Sequence, residues 1–321
     1  MKKIFLGINQ PTKALNRIFF LLICFISGCS ILTKPQLESI KIYAVATQEY
    51  AQYPGLLIKD YVEIQSNIFL ISSPLISNPD RAARRLLSHQ NDKSSILGEA
   101  EKLDLSFDIL KEYAKSMEIL ANPDYFQKVE QTIENSGNNL DQLIESYNSK
   151  FDKNIPGGLG GLVYQSLVLG SKTYLDQKRG QLLKEYIKKG EPIIKEISQF
   201  TQEFLKEKVA EEWIKDIDLE LESSHSAIRR HILVDTLSYS SNAFSLILLD
   251  TQVSKIYEDI EQLKKLNVKL IASIDELYLA HQALNQDVQK KRKAVTVLGE
   301  VSAFVREVYG IIDLYQNLSQ E

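Results

Sequence analysis

The chain has 321 residues, with 38 Lys and Arg against 42 Asp and Glu and a formal net charge of −4. This mildly acidic balance gives no electrostatic reason to bind nucleic acid, and two cysteines cannot build a disulfide scaffold. Its 14 glycines and 8 prolines are gathered at a few points, which suits long helices better than a turn-rich fold.

The first stretch carries Lys2, Lys3, Lys13 and Arg17 with no acid before residue 29, then the apolar run Ile18 to Ile26, then Ser27-Gly28-Cys29. A basic segment, a short apolar run and small residues at a cleavage point form a secretory signal. The run is too short for a bilayer span, which needs roughly 20 apolar residues. Ile26-Ser27-Gly28-Cys29 resembles the lipobox of bacterial lipoproteins at every position. The resemblance implies cleavage between Gly28 and Cys29, acylation of the Cys29 thiol and a lipid-anchored envelope protein. Serine at position 30 implies the outer membrane if the host is Gram-negative. Two or three acyl chains, at about 0.8 kcal/mol per buried methylene, would make a durable anchor. Cys24 would be discarded with residues 1–28, leaving the mature chain without a free thiol. Its charge would then be 34 basic against 42 acidic residues. Residues 29–35 read as the lipidated cysteine and a short tether, because Pro35 suits a first helical turn and apolar periodicity follows at once.

From there the pattern is helical throughout 36–321. Leu57, Tyr61, Ile64, Ile68 and Ile71 form one seam, ended by Pro74. The region from Ser72 to Ser95, with two prolines and many polar residues, reads as an irregular connection. Leu103, Phe107, Leu110, Ala114, Met117 and Ala121 form the next seam, up to Asn122-Pro123. Asp124 reads as the cap of a third, running to Tyr147, with the polar stretch Asn135–Asn139 as a break within it. A sub-boundary falls near 150–158.

The longest seam is Leu249, Val253, Ile256, Ile260, Leu263, Asn267, Leu270, Ile274, Leu277, His281, Leu284 and Val288. Its spacings alternate four and three without interruption, which no strand produces. Asn267 and His281 occupy the a positions, where a polar residue costs stability and fixes register. The seam could pair with residues 193–220 or with a second copy of the chain. Lys290-Lys291-Arg292-Lys293 is the expected junction to a last helix carrying Val297, Val301, Phe304, Val308, Ile311, Tyr315 and Leu318, with one helix continuing through it as the alternative. The expected fold is therefore all-α, an elongated bundle of long antiparallel helices with coiled-coil-like heptad packing.

Residues 155–170 are uncharged and hold Gly157, Gly158, Gly160 and Gly161 ahead of Leu162 and Val163. Such small-residue spacing lets helices approach closely, and in outline the segment resembles the hidden apolar segment of long-helix bacterial pore-forming toxins. It reads first as core beneath a crossing helix and second as a contact for a partner or lipid. Glu222-x-x-His225 has the spacing of a di-iron ligand pair, but His89, His231 and His281 have no glutamate three residues before them. A solvated ladder of Asp218, Glu222, His225 and Arg229 along one helix is the plainer expectation. No zinc-protease, serine-hydrolase or phosphate-binding motif occurs. The sequence thus points to a non-enzymatic scaffold or accessory module without cofactor or metal. Its expected partners are the membrane and an envelope protein or itself, with no nucleic acid or small-molecule substrate. Membrane activity through residues 155–170 is the alternative.

Overall fold

A computed structural model describes residues 32–73, 76, 78–122, 130–168, 173–234, 239–289 and 294–318. Gly28 and Cys29, the Lys290–Lys293 junction and the Pro123-Asp124 corner lie outside them. The fold is all-α: helices alone, several of them long, with no strand among the described residues.

Helix α1 (Lys34–Tyr50) starts where its sequence dictates. Thr33 accepts from the Gln36 amide at 3.4 Å while the Gln36 side chain accepts from the Thr33 amide at 2.9 Å, with Pro35 in the first turn. A short break at Ala51-Gln52 leads to α2 (Tyr53–Ser72). Helix α3 (Pro79–Ala121) begins directly at Pro79, capped by the Asn78 side chain on the Arg81 amide at 3.1 Å. The expected irregular connection over Ser72–Ser95 is therefore mostly helix. It escapes apolar periodicity because no α3 residue before Ile96 is buried.

Helix α4 (Glu130–Phe151) runs through Asn135–Asn139 without the expected break. A loop leads to the short α5 (Leu159–Val168). Helix α6 (Thr173–Glu203) passes into a π-helix (Phe204–Ile214) and on into α7 (Lys215–Val234) with no intervening turn. Helix α8 (Tyr239–Val288) has 50 residues and α9 (Ala294–Leu318) has 25. At 1.5 Å per residue, α8 is about 75 Å long.

Side-chain pairs fix the directions. Gln48 meets Glu118 at 2.9 Å and Ser72 meets Arg85 at 2.9 Å, so α3 runs back along α1 and α2. Glu191 pairs with Asn285, the Leu205 carbonyl with Asn267, Asp218 with Lys264 and Arg229 with Asp250, so α8 runs back along α6, the π-helix and α7. Lys269–Glu307 at 3.1 Å turns α9 back again beside α8, parallel to α1.

All twelve residues of the long seam, Leu249 to Val288, are buried within the one chain. Each fully buried Leu or Ile contributes about 1.5–3 kcal/mol of transfer free energy, which supplies most of what holds the helices together. The buried side chains from Leu32 to Ile311 make one continuous core. Its centre is an aromatic layer with rings from five helices. Tyr43 of α1 contacts His281 of α8 and Phe304 of α9, and His281 contacts Tyr113 of α3, which stacks on Tyr186 of α6 at 5.0 Å. Gly190 of α6 admits the Tyr113 ring, since a Cβ there would stand 2.3 Å from it.

Candidate functional site

The glycine-rich segment is held from one side. Asp141 of α4 receives the amides of Gly158 and Leu159 on Oδ1 at 3.0 and 3.1 Å and that of Gly160 on Oδ2 at 3.1 Å. Three of the otherwise orphaned N–H groups that open α5 are thus satisfied by a carboxylate at the positive end of the helix. Asn148, also on α4, donates to the Ile155 carbonyl at 2.9 Å and accepts its amide at 2.8 Å. Gly158 has φ +86, a conformation that favours glycine, and completes the turn. Leu159, Gly160, Leu162, Val163 and Ser166 are buried, whereas Gly157, Gly158, Gly161 and Tyr164 face outward. The segment from 155 to 166 is therefore pinned to α4, with residues 169 and 170 outside the described residues, and no described helix is long and apolar enough to cross a membrane.

The two polar residues of the long seam have separate partners. Asn267 donates to the Leu205 carbonyl at 3.2 Å, at the start of the π-helix. The wider i→i+5 turn frees carbonyls from the usual α pattern, and a side chain from α8 takes one of them. His281 Nε2 is hydrogen-bonded to the Tyr113 hydroxyl at 2.8 Å, while its Nδ1 has no hydrogen-bond partner. Burial pushes the imidazole pKa down to about 3, so His281 is neutral at physiological pH. Burial likewise holds the Tyr43, Tyr113 and Tyr186 hydroxyls protonated.

The expected ladder along α7 is replaced by pairing between helices. His225 Nε2 and Arg229 both reach Asp250 of α8, at 2.9 and 2.6 Å, and hold its carboxyl below the usual range. Asp218 pairs with Lys264 of α8 at 2.6 Å instead of with its own helix. Among the described residues no group of His, Asp or Glu is arranged to hold a metal ion. Trp213 stacks on Tyr61 at 5.1 Å and meets Phe204 edge-on, as a core residue of the π-helix.

Three surfaces went unread in the sequence. A cleft between α2 and α8 holds Asp60, Glu63 and Asp259 beside Lys255. There burial raises the Asp60 and Asp259 carboxyls, and Tyr315 donates to Asp60 at 3.0 Å. A groove between α1 and α9 exposes Ile42, Val45 and Tyr309, with Glu38, Lys41 and Glu49 along its rim. At the far end of α8, Phe244, Ile247 and Leu248 are 70, 65 and 52% exposed, and Leu233 of α7 is 57% exposed. Phe244, Ile247 and Leu248 follow the i, i+3, i+4 rule and share one helical face. Their spacing matches that of the core seam, so nothing local distinguishes them.

No protein-family model, curated protein or solved structure matches the chain. Any functional conclusion therefore rests on the residues and their arrangement.

Proposed function

We propose that the chain is a lipid-anchored envelope protein with no enzymatic role, a helical scaffold or accessory module that binds a protein partner. The observation that carries this reading is where the chain enters the fold. Leu32 is buried beside Gly180 of α6, on the face where a side chain at that position would stand, and Gln36 donates to the Asp287 carbonyl at the last turn of α8. Cys29 stands three residues before Leu32, so an acylated Cys29 would stand the bundle end-on, with almost no slack between body and bilayer. The groove between α1 and α9, an apolar floor with a charged rim, opens on the side of this body and suits an amphipathic helix of a partner. In the same reading, the four-three spacing is coiled-coil-like heptad packing in an elongated bundle, with Asn267 and His281 setting register.

The alternative, membrane activity through residues 155–170, has less support, because Asp141 and Asn148 hold that segment against α4. Intact mass of the protein from its native membrane tests the anchor. The expected mass is that of the chain from Cys29 plus acyl groups, and a Cys29→Ser variant should lose both acylation and membrane fractionation. An unacylated mass would overturn it. For the partner, a photo-crosslinker at Tyr309 should give a discrete hetero-adduct in native envelopes, abolished by Val45→Glu. A chain that crosslinks to nothing there would sink the scaffold reading.

A further inference from the structure

A fourth surface lies where α3 runs antiparallel to the π-helix and α7. Two ion pairs tie these helices together, Lys208 to Glu99 at 3.7 Å and Arg85 to Glu220 at 3.5 Å. Asp92 stands midway between Arg85 and Glu99, about two turns from each, so it shares their face of α3. Asp216 stands one turn after Glu212 and one turn before Glu220. Asp92 and Asp216 thus fall between the two pairs, where the surface opens into a cleft of about 320 Å³. Neither has a hydrogen bond or an ion pair among the described residues. Lys93 and Lys215, their neighbours in sequence, do not line the cleft. Lys208 does, but it is held by Glu99 and by Glu212, the latter at 2.6 Å.

The floor is aromatic and polar at once. Tyr61 of α2 stacks on Trp213 at 5.1 Å, and the two are 3 and 4% exposed. Tyr61 lines the cleft, yet its hydroxyl has no hydrogen-bond partner among the described residues. Burial pushes its pKa up, and so do the carboxylates of Asp216, Glu220, Glu212 and Asp92, which converge on this one hydroxyl. One turn along α2, the Oε1 of Gln65 lines the same cleft and is buried without a partner. A buried acceptor left unpaired costs free energy that the N–H groups of a ligand would recover.

We infer that this cleft binds an aliphatic polyamine. Its open groups are acceptors: two unpaired carboxylates at the mouth, with an amide oxygen and a hydroxyl beneath them. An ammonium group offers them charge and three N–H donors. Methylene segments suit the Tyr61–Trp213 stack, and an ammonium over its face gains cation–π attraction. A compact metal ion does not fit, because no group of His, Asp and Glu among the described residues is gathered to hold one. Acids spread over two helices match instead a cation whose charges are spaced along a chain. The site lies apart from the groove between α1 and α9 and does not rest on the anchored-scaffold reading.

Trp213 is the single tryptophan of the chain, so its fluorescence reports on the floor directly. The test titrates the full chain, in non-ionic detergent, with spermidine at constant ionic strength. A saturable change with one ligand per chain is expected. An Asp92→Asn/Asp216→Asn variant should weaken binding about tenfold or more, since it removes two charged acceptors. Tyr61→Phe keeps the stacked ring and should weaken it about fivefold, the worth of one hydrogen bond. Unchanged thermal melting would show that both variants fold. Magnesium at the same concentration should leave the signal unmoved. N-acetyl-lysine amide, with one charge, should bind about tenfold more weakly than spermidine. An equal response to magnesium would mean diffuse screening, and equal binding of the lysine probe would make the ligand a protein side chain. Either result, a signal that fails to saturate, or binding indifferent to either variant would overturn the proposal.

Discussion

At the level of Tyr113, rings from α1, α3, α6, α8 and α9 meet around His281, whereas at the level of Phe244 two helices leave their apolar side chains in water. The same helix, α8, passes through both environments with the same spacing of apolar residues. What differs is the number of neighbours. In the aromatic layer every lateral position is filled, so polar groups are admitted only with partners or at a cost. At the tip no described residue opposes the apolar face, so the pattern that builds a core elsewhere makes a surface there. Periodicity in a sequence specifies that a helix has a face, and the rest of the fold decides whether that face is covered.

The difference predicts opposite responses to small changes. Gly190→Ala places a methyl group against the fully buried Tyr113 ring, and should cost about 3 kcal/mol in chemical denaturation. Leu277→Ala, at a fully buried position of α8, should cost about 2–5 kcal/mol. If either proved mild, the layer would be looser than its geometry implies.

The aromatic layer should also carry a pH dependence of its own, through His281. His281 takes up a proton at about pH 3 in the folded chain and near its ordinary value of 6.5 when unfolded. The unfolded state therefore binds more protons below pH 6.5, and stability should fall as pH drops from there toward 3. At pH 5 the loss relative to pH 7 should be about 2 kcal/mol. His281→Gln, which keeps a hydrogen-bonding group near Tyr113, should flatten this part of the profile. A slope unchanged by that substitution would mean that other groups carry it.

Much of the fold was legible in the sequence, for identifiable reasons. The seam from Leu249 to Val288 is long and unbroken, and all its members are buried. Pro35 marked a first turn that Thr33 and Gln36 complete. The stretch from Pro79 to Ser95 was misread because it buries nothing, so it has no periodic face. Its real signal was the Asn78-Pro79-Asp80 start, a cap followed by a first-turn proline. Asn135–Asn139 looked like a break because its residues disfavour helix interiors, yet propensity is a weak prior that context overrides. The clamp on the glycine-rich segment was illegible, since Asp141 lies 17 residues ahead of the amide of Gly158 that it accepts. The pairing of His225 and Arg229 with Asp250 was missed in the same way, because i,i+4 rules see one helix and the acid comes from another.

Asp141→Ala tests that clamp at an intermediate scale. It removes the acceptor for three amides at the start of α5 and should cost about 1 kcal/mol. The loss should be local, seen as faster amide exchange over residues 158–163 with little change in the aromatic layer. Equal acceleration in α6 and α8 would show that α5 is fastened to the bundle as one unit.

The smallest effects belong to positions with open space around them. A Cβ at Gly98 of α3 would meet nothing within 4 Å, in contrast to Gly190. Gly98→Ala should therefore act through backbone freedom alone and stabilise by roughly 0.5–1 kcal/mol. Further toward the tip, Leu87 is 64% exposed, and Leu87→Ser should shift stability by less than about 0.5 kcal/mol. The pair separates backbone from packing at the open end. A stabilised Gly98→Ala with a neutral Leu87→Ser means that α3 is ordered there by its own cap and propensity. A Leu87→Ser variant as damaging as a core substitution would mean that the tip is covered in solution, by another copy or by a neighbouring segment of the chain.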